Sequence, residues 1–147
     1  MKMKTLLALF TVLVSCSLAC AGGVKDKLIG KWTTEAGEGA TKSVTTIEFK
    51  ADGSFSKSVT MGTREMLSSV GGKWLLTTEA TGLKAVTADP NKLIITYQLM
   101  GGTKITDKTE AWLVNISNDP TFKGKETLHL GPLSGALVGT EYYFRAK

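Results

Sequence analysis

Residues 43–61 read Ser43-Val44-Thr45-Thr46-Ile47-Glu48-Phe49-Lys50-Ala51-Asp52-Gly53-Ser54-Phe55-Ser56-Lys57-Ser58-Val59-Thr60-Met61. Ile47 and Phe49 alternate with Thr46, Glu48 and Lys50, the period-two pattern of a half-buried strand. Phe55, Val59 and Met61 share one face of the following run. Between the runs lies Ala51-Asp52-Gly53, a tight turn in which Gly53 supplies positive φ. Two alternating runs joined this tightly form an antiparallel hairpin, and the rest of the chain repeats the theme.

Upstream, Gly30 to Ala36 is a strand broken off by Gly37 and Gly39. Downstream, a fourth strand covers Gly72 to Glu79, opened by Trp74, and residues 83–88 add a short strand or continue it. Asp89-Pro90-Asn91 turns the chain into a fifth strand, Lys92 to Met100, with Leu93, Ile95, Tyr97 and Leu99 on one face. Gly101-Gly102 leads to a sixth, Lys104 to Ser117, then Asn118-Asp119-Pro120, a seventh from Lys125 to Leu130 and an eighth from Gly139 to Ala146. Val24 to Ile29 and Thr63 to Ser69 are helix-like but too short to be stable alone. The second is expected as a flap over an open end, or as an ordinary plug. The expected fold is all-β: an eight-stranded antiparallel up-and-down barrel with a short N-terminal helix or turn. Such a barrel is filled by side chains or holds one small ligand.

The 147 residues suit one domain, and 42% hydrophobic with 21% charged residues is ordinary globular composition. One histidine and two cysteines, Cys16 and Cys20, exclude most zinc, iron–sulfur and disulfide architectures for the folded part. Lys2 and Lys4 precede an unbroken apolar run from Leu6 to Val14, an export signal too short to span ~30 Å of bilayer. Removing both lysines leaves 16 basic against 13 acidic residues, a net charge of +3. The lysines are scattered and arginine occurs only at Arg64 and Arg145, so nucleic acid is not an expected partner.

Leu13-Val14-Ser15-Cys16 resembles the lipobox of bacterial lipoproteins. That resemblance implies diacylglycerol on the Cys16 sulfur, cleavage before it and acylation of the new amino terminus. Ala19-Cys20-Ala21 also fits a plain signal-peptidase site, and Ser17-Leu18-Ala19-Cys20 is a poorer lipobox, so soluble secretion and Cys20 stay as alternatives. The expected organisation is a signal peptide over residues 1–15, an anchor and tether over 16–23, and one domain over 24–147. The expected location is the cell envelope, lipid-anchored at an outer membrane and facing the periplasm, or else soluble in the periplasm or secreted.

Leu28-Ile29-Gly30-Lys31-Trp32 looks like the G-x-W signature that opens the first strand of lipocalins and other calycins. In that superfamily a short helix or turn closes one end of the barrel, the Trp sits there, and an Arg of the last strand packs over its ring. Gly30, Trp32 and Arg145 match those places. The hairpin at Phe49–Phe55 and Gly72-Lys73-Trp74 also resemble lipoproteins with lipocalin-like domains. The second and third conserved lipocalin segments have no full counterpart.

His129 alternates with Leu128 and Leu130, which places it on the outside if the leucines face inward. No G-x-S-x-G elbow accompanies it, the acids are dispersed, and Gly37-Glu38-Gly39 precedes a strand rather than a helix. No enzyme, cofactor or metal is expected. The expected function is a membrane-anchored binder of a small apolar or amphipathic ligand, lined by Phe55, Met61, Tyr97 and Leu99, with few charges turned inward. The alternative is a protein-interaction module, an envelope adaptor or enzyme inhibitor, with a filled core.

Overall fold

The computed structural model describes residues 23–77, 91–135 and 139–147. The readings on the export signal, Cys16, Cys20 and the run 83–88 lie outside the described residues. A helix α1 (Val24–Leu28) leads into eight strands. These are β1 (Gly30–Ala36), β2 (Ser43–Phe49), β3 (Ser54–Met61), β4 (Arg64–Thr77), β5 (Lys92–Met100), β6 (Thr103–Asp119), β7 (Lys125–Ser134) and β8 (Glu141–Arg145). Each pairs antiparallel with the next and β8 returns to β1, so the sheet closes into the expected eight-stranded barrel. The closing ladder is short, pairing Trp32 with Arg145 and Thr33 with Phe144.

The deciding hairpin forms as its turn chemistry dictates. Gly53 adopts φ 81°, and Lys50 N–H donates to Ser54 O at 2.9 Å. The Asp52 carboxylate accepts from Ser54 Oγ at 2.6 Å and Ser54 N–H at 2.8 Å. Those two hydrogen bonds hold its pKa below the usual carboxylate range.

The stretch read as helix-like, Thr63 to Ser69, is instead strand from Arg64 onward. Gly62 (φ 58°) and Thr63 turn the chain so that Arg64 faces Met61 across a hairpin. One helical turn is a costly nucleus, whereas β3 supplies a ladder in which Arg64, Glu65 and Leu67 pair with Met61, Thr60 and Val59. No flap forms. The strand was hidden because register shifts at Lys57/Val59, Val59/Thr60 and Gly71/Gly72 break the alternation.

The interior is filled at one end. Trp32, Phe49, Phe55, Trp74, Trp112 and Tyr143 are buried there with inward aliphatic side chains from five strands. Phe49 meets Trp74 edge-on, centroids 5.6 Å apart. Burying each such side chain stabilises by ~1.5–3 kcal/mol. Helix α1 closes this end: Leu28 is fully buried and its carbonyl accepts Trp32 Nε1–H at 2.8 Å.

Candidate ligand cavity

The closed end is built around Arg145. Its guanidinium carbon lies 3.8 Å from the Trp32 ring centroid, a stacked cation–π contact. Nη1 donates to Ile29 O at 2.9 Å, Nη2 donates to Lys27 O, and Nε donates to Glu126 Oε2 at 2.9 Å. One planar fork thus ties β8 to α1, β1 and β7, a task a lysine ammonium is not shaped for. The ion pair and hydrogen bonds hold Glu126 below the usual carboxylate range. Gly30 is required twice: its φ is 124°, and a Cβ there would stand 2.8 Å from Arg145 Nη1.

Above the aromatic floor the lumen turns polar. Lys57 Nζ lies 3.1 Å from Glu141 Oε1. Lys57 is on β3 and Glu141 on β8, with β1 and β2 between them in the sheet, so this ion pair crosses the interior. Tyr143 Oη–H donates to Glu141 Oε2 at 2.8 Å, and Lys57 Nζ sits 5.8 Å from the Tyr143 ring centroid. Tyr97 Oη–H donates to Glu110 Oε2 at 2.9 Å, while Lys108 Nζ lies 3.3 Å from Glu110 Oε1. Glu110 is 6% exposed; a carboxylate this buried must be paired and hydrogen-bonded, and it is.

Two hollows adjoin at Lys57. One of about 440 Å³ is bounded by Thr34, Thr45, Val59, Glu141 and Tyr143, the other of about 220 Å³ by Val70, Tyr97, Met100, Ile105, Lys108 and Glu110. Burial, and then the facing glutamates Glu110 and Glu141, push both phenols well above their ordinary range. A larger groove of about 550 Å³ runs outside the barrel past Lys125, Glu126, Phe144 and Arg145. Arg145 with Glu126 and Lys125 with Phe144 are already engaged within its walls, so the lumen is the better candidate.

The four residues expected to line a cavity do not meet in the lumen: Phe55 and Leu99 border a separate hollow of about 360 Å³ beside Gly71 and Gly72. Tyr97 lines the smaller hollow. Phe55 belongs to the packed floor, 3% exposed and edge-on to Tyr97 at 5.3 Å. Met61 ends β3, half-buried. Leu99 is displaced: past a register shift between Tyr97 and Leu99 it stands 42% exposed beside Gly71, and Met100, itself 49% exposed, borders the smaller hollow in its stead. The expectation of few inward charges is overturned by Lys57, Glu110 and Glu141. Alternation held the signal: Lys57 follows Phe55 by two, Glu110 precedes Trp112 by two, and Glu141 precedes Tyr143 by two.

His129 stacks on Tyr142 at 4.7 Å while Leu128 and Leu130 are buried, so its ring lies on the outer face. Among the described residues, no three His, Cys, Asp or Glu side chains gather as metal ligands. Comparison with protein-family models, curated proteins and solved structures finds no match to this chain.

Proposed function

We propose that this chain is a non-enzymatic lipoprotein of the cell envelope whose lipocalin-like barrel holds a small amphipathic ligand. The observation that carries the reading is the divided interior, a packed apolar floor beneath a hollow lumen with convergent polar groups. The Gly30–Trp32–Arg145 arrangement supports the calycin likeness. The lipobox-like Leu13-Val14-Ser15-Cys16 supports an anchor at Cys16, in an outer membrane and facing the periplasm. The chain enters the barrel through α1 at the closed end, where Lys25, Lys27, Lys50, Lys123, Lys125 and Lys147 are exposed. The excess of these lysines over Asp26, Asp52, Asp119 and Glu126 at the same end suits an anionic lipid surface, at about 1 kcal/mol for each lysine brought near it.

Two measurements test this. Mass spectrometry of the protein from the membrane fraction should show acyl chains on Cys16, and Cys16→Ala should release the protein to the soluble fraction. Wild-type protein recovered soluble and unacylated would remove the anchor. Titration with an environment-sensitive amphiphilic probe should show one saturable site of about micromolar affinity, ~−8 kcal/mol.

A second reading, the protein-interaction module, has its own observation. Leu75 on β4 stands opposite Ile94 on β5, with Leu113 and Leu133 on the neighbouring β6 and β7, and the three leucines are 39–53% exposed. An apolar outer patch on a barrel suits a protein partner. Absence of saturable probe binding would transfer the weight to this face.

A further inference from the structure

The lumenal charges divide into fixed and movable ones. Glu141 is pinned by the Tyr143 phenol and Glu110 by the Tyr97 phenol, at 2.8 Å and 2.9 Å. Both phenol protons are committed to these carboxylates; the Tyr143 ring is buried with Lys57 against it, and the Tyr97 ring borders the smaller hollow. The cations are held differently. Lys108 is 46% exposed in its side chain and can swing to solvent. Lys57 is a point charge on a four-carbon stem, meeting Glu141 on one side and the Tyr143 ring on the other. Its ammonium therefore already occupies the place a bound cation would take, between a carboxylate and an aromatic face, and it borders both hollows. Charge in the lumen is balanced, two lysines against two glutamates, so a guest must displace whichever sign yields more easily. The lysines yield.

We infer that the lumen binds an amine, the ammonium head of a small amphiphile replacing the Lys57 ammonium between Glu141, Glu110 and the two tyrosine rings. The arrangement joins carboxylate pairing to cation–π attraction, which together favour an ammonium over an anionic or neutral head. The aromatic floor blocks deeper entry, so the head seats first and the alkyl tail lies along Val59, Val70, Met100 and Ile105 toward the mouth. An anionic head would find two movable cations, Lys57 and Lys108, but would face the two pinned carboxylates as well.

This rests on the reading of the lumen as a ligand cavity, and the test separates the two. Octylamine, octanoate and octanol are titrated calorimetrically into the purified full chain at neutral pH. Octylamine should bind about tenfold or more tighter than the other two, the scale of a charge-assisted hydrogen bond. Lys57→Met should strengthen octylamine binding by vacating the head position. Glu141→Gln should weaken it about tenfold and level the preference, with Glu110→Gln as the second variant if Glu141→Gln does not fold by circular dichroism. Preference for octanoate, or loss of octylamine binding in a folded Lys57→Met protein, overturns the inference while leaving the cavity. Failure of all three probes removes the cavity and the inference together.

Discussion

At the scale of single residues, Arg145 shows how a two-residue signature acquires its meaning. Trp32 supplies the face, Gly30 the clearance, and Arg145 satisfies carbonyls that α1 leaves open at its end. Trp32→Ala should cost ~3–5 kcal/mol in chemical denaturation, the usual loss for a buried aromatic. Gly30→Ala should also destabilise, because Nη1 is held by Ile29 O and has nowhere to move. In an Arg145→Ala background that penalty should shrink to the backbone part from φ 124°, and an unchanged penalty would deny the steric link. Glu126 adds a pH dependence. Its folded pKa is depressed, mainly by Arg145, so its contribution is present above the ordinary carboxylate range and is lost as pH falls through the folded value. Glu126→Gln should therefore lose less stability than wild type between neutral pH and about pH 3, the ordinary value being ~4.3. Parallel acid-side denaturation curves for the two proteins would contradict this.

At the scale of elements, the strands easiest to read were those bounded by clear turn residues: β1, β3 and β5 have their expected bounds. The hidden one was the first half of β4, because a bulge looks like a strand end when only the pattern is visible. Gly71-Gly72 reads as a breaker, yet it is where β4 shifts register against β5. Gly72 is there for space: a Cβ would fall 1.9 Å from Thr96 O, a backbone atom that cannot yield without breaking the ladder. Gly72→Ala should therefore be among the most damaging single-methyl additions in the protein, beyond the ~1–3 kcal/mol of ordinary overpacking. Gly102→Ala is the contrasting case, since no atom lies within 4 Å of its added methyl and only its positive φ opposes it. Comparable melting temperatures for the two variants would mean that β4 and β5 do not approach as closely as described. The shift near Leu99 explains the misplaced lining residue in the same terms, for one extra residue reverses which face every later side chain takes.

At the scale of the whole molecule, the barrel depends on how β8 is held. Its ladder with β1 has two register pairs, Trp32–Arg145 and Thr33–Phe144, against seven between β1 and β2. Arg145 clamps the lower end, and Glu141, through Lys57 and Tyr143, ties the upper end to β3 across the lumen. The lower clamp was legible in the sequence as Gly30, Trp32 and Arg145. The upper one was not, because charged residues at inward positions are discounted until their partners on distant strands are known. This second clamp makes alkaline stability a test of the interior. Both buried phenols have raised folded pKa values, with burial the largest cause and the glutamates next. Above the ordinary phenol value of ~10 the unfolded chain releases protons that the folded barrel retains, so stability falls as pH rises. Ionising either phenol in place would remove a donated hydrogen bond and set two negative charges side by side. Tyrosinate absorbance from Tyr97 and Tyr143 should thus appear in one step, together with loss of the far-ultraviolet circular dichroism of the barrel. Tyr97→Phe and Tyr143→Phe should each remove part of that step, as each takes away one phenol that titrates only on unfolding. Gradual ionisation of both phenols in a barrel that stays folded would mean that neither glutamate is held as the lumen requires.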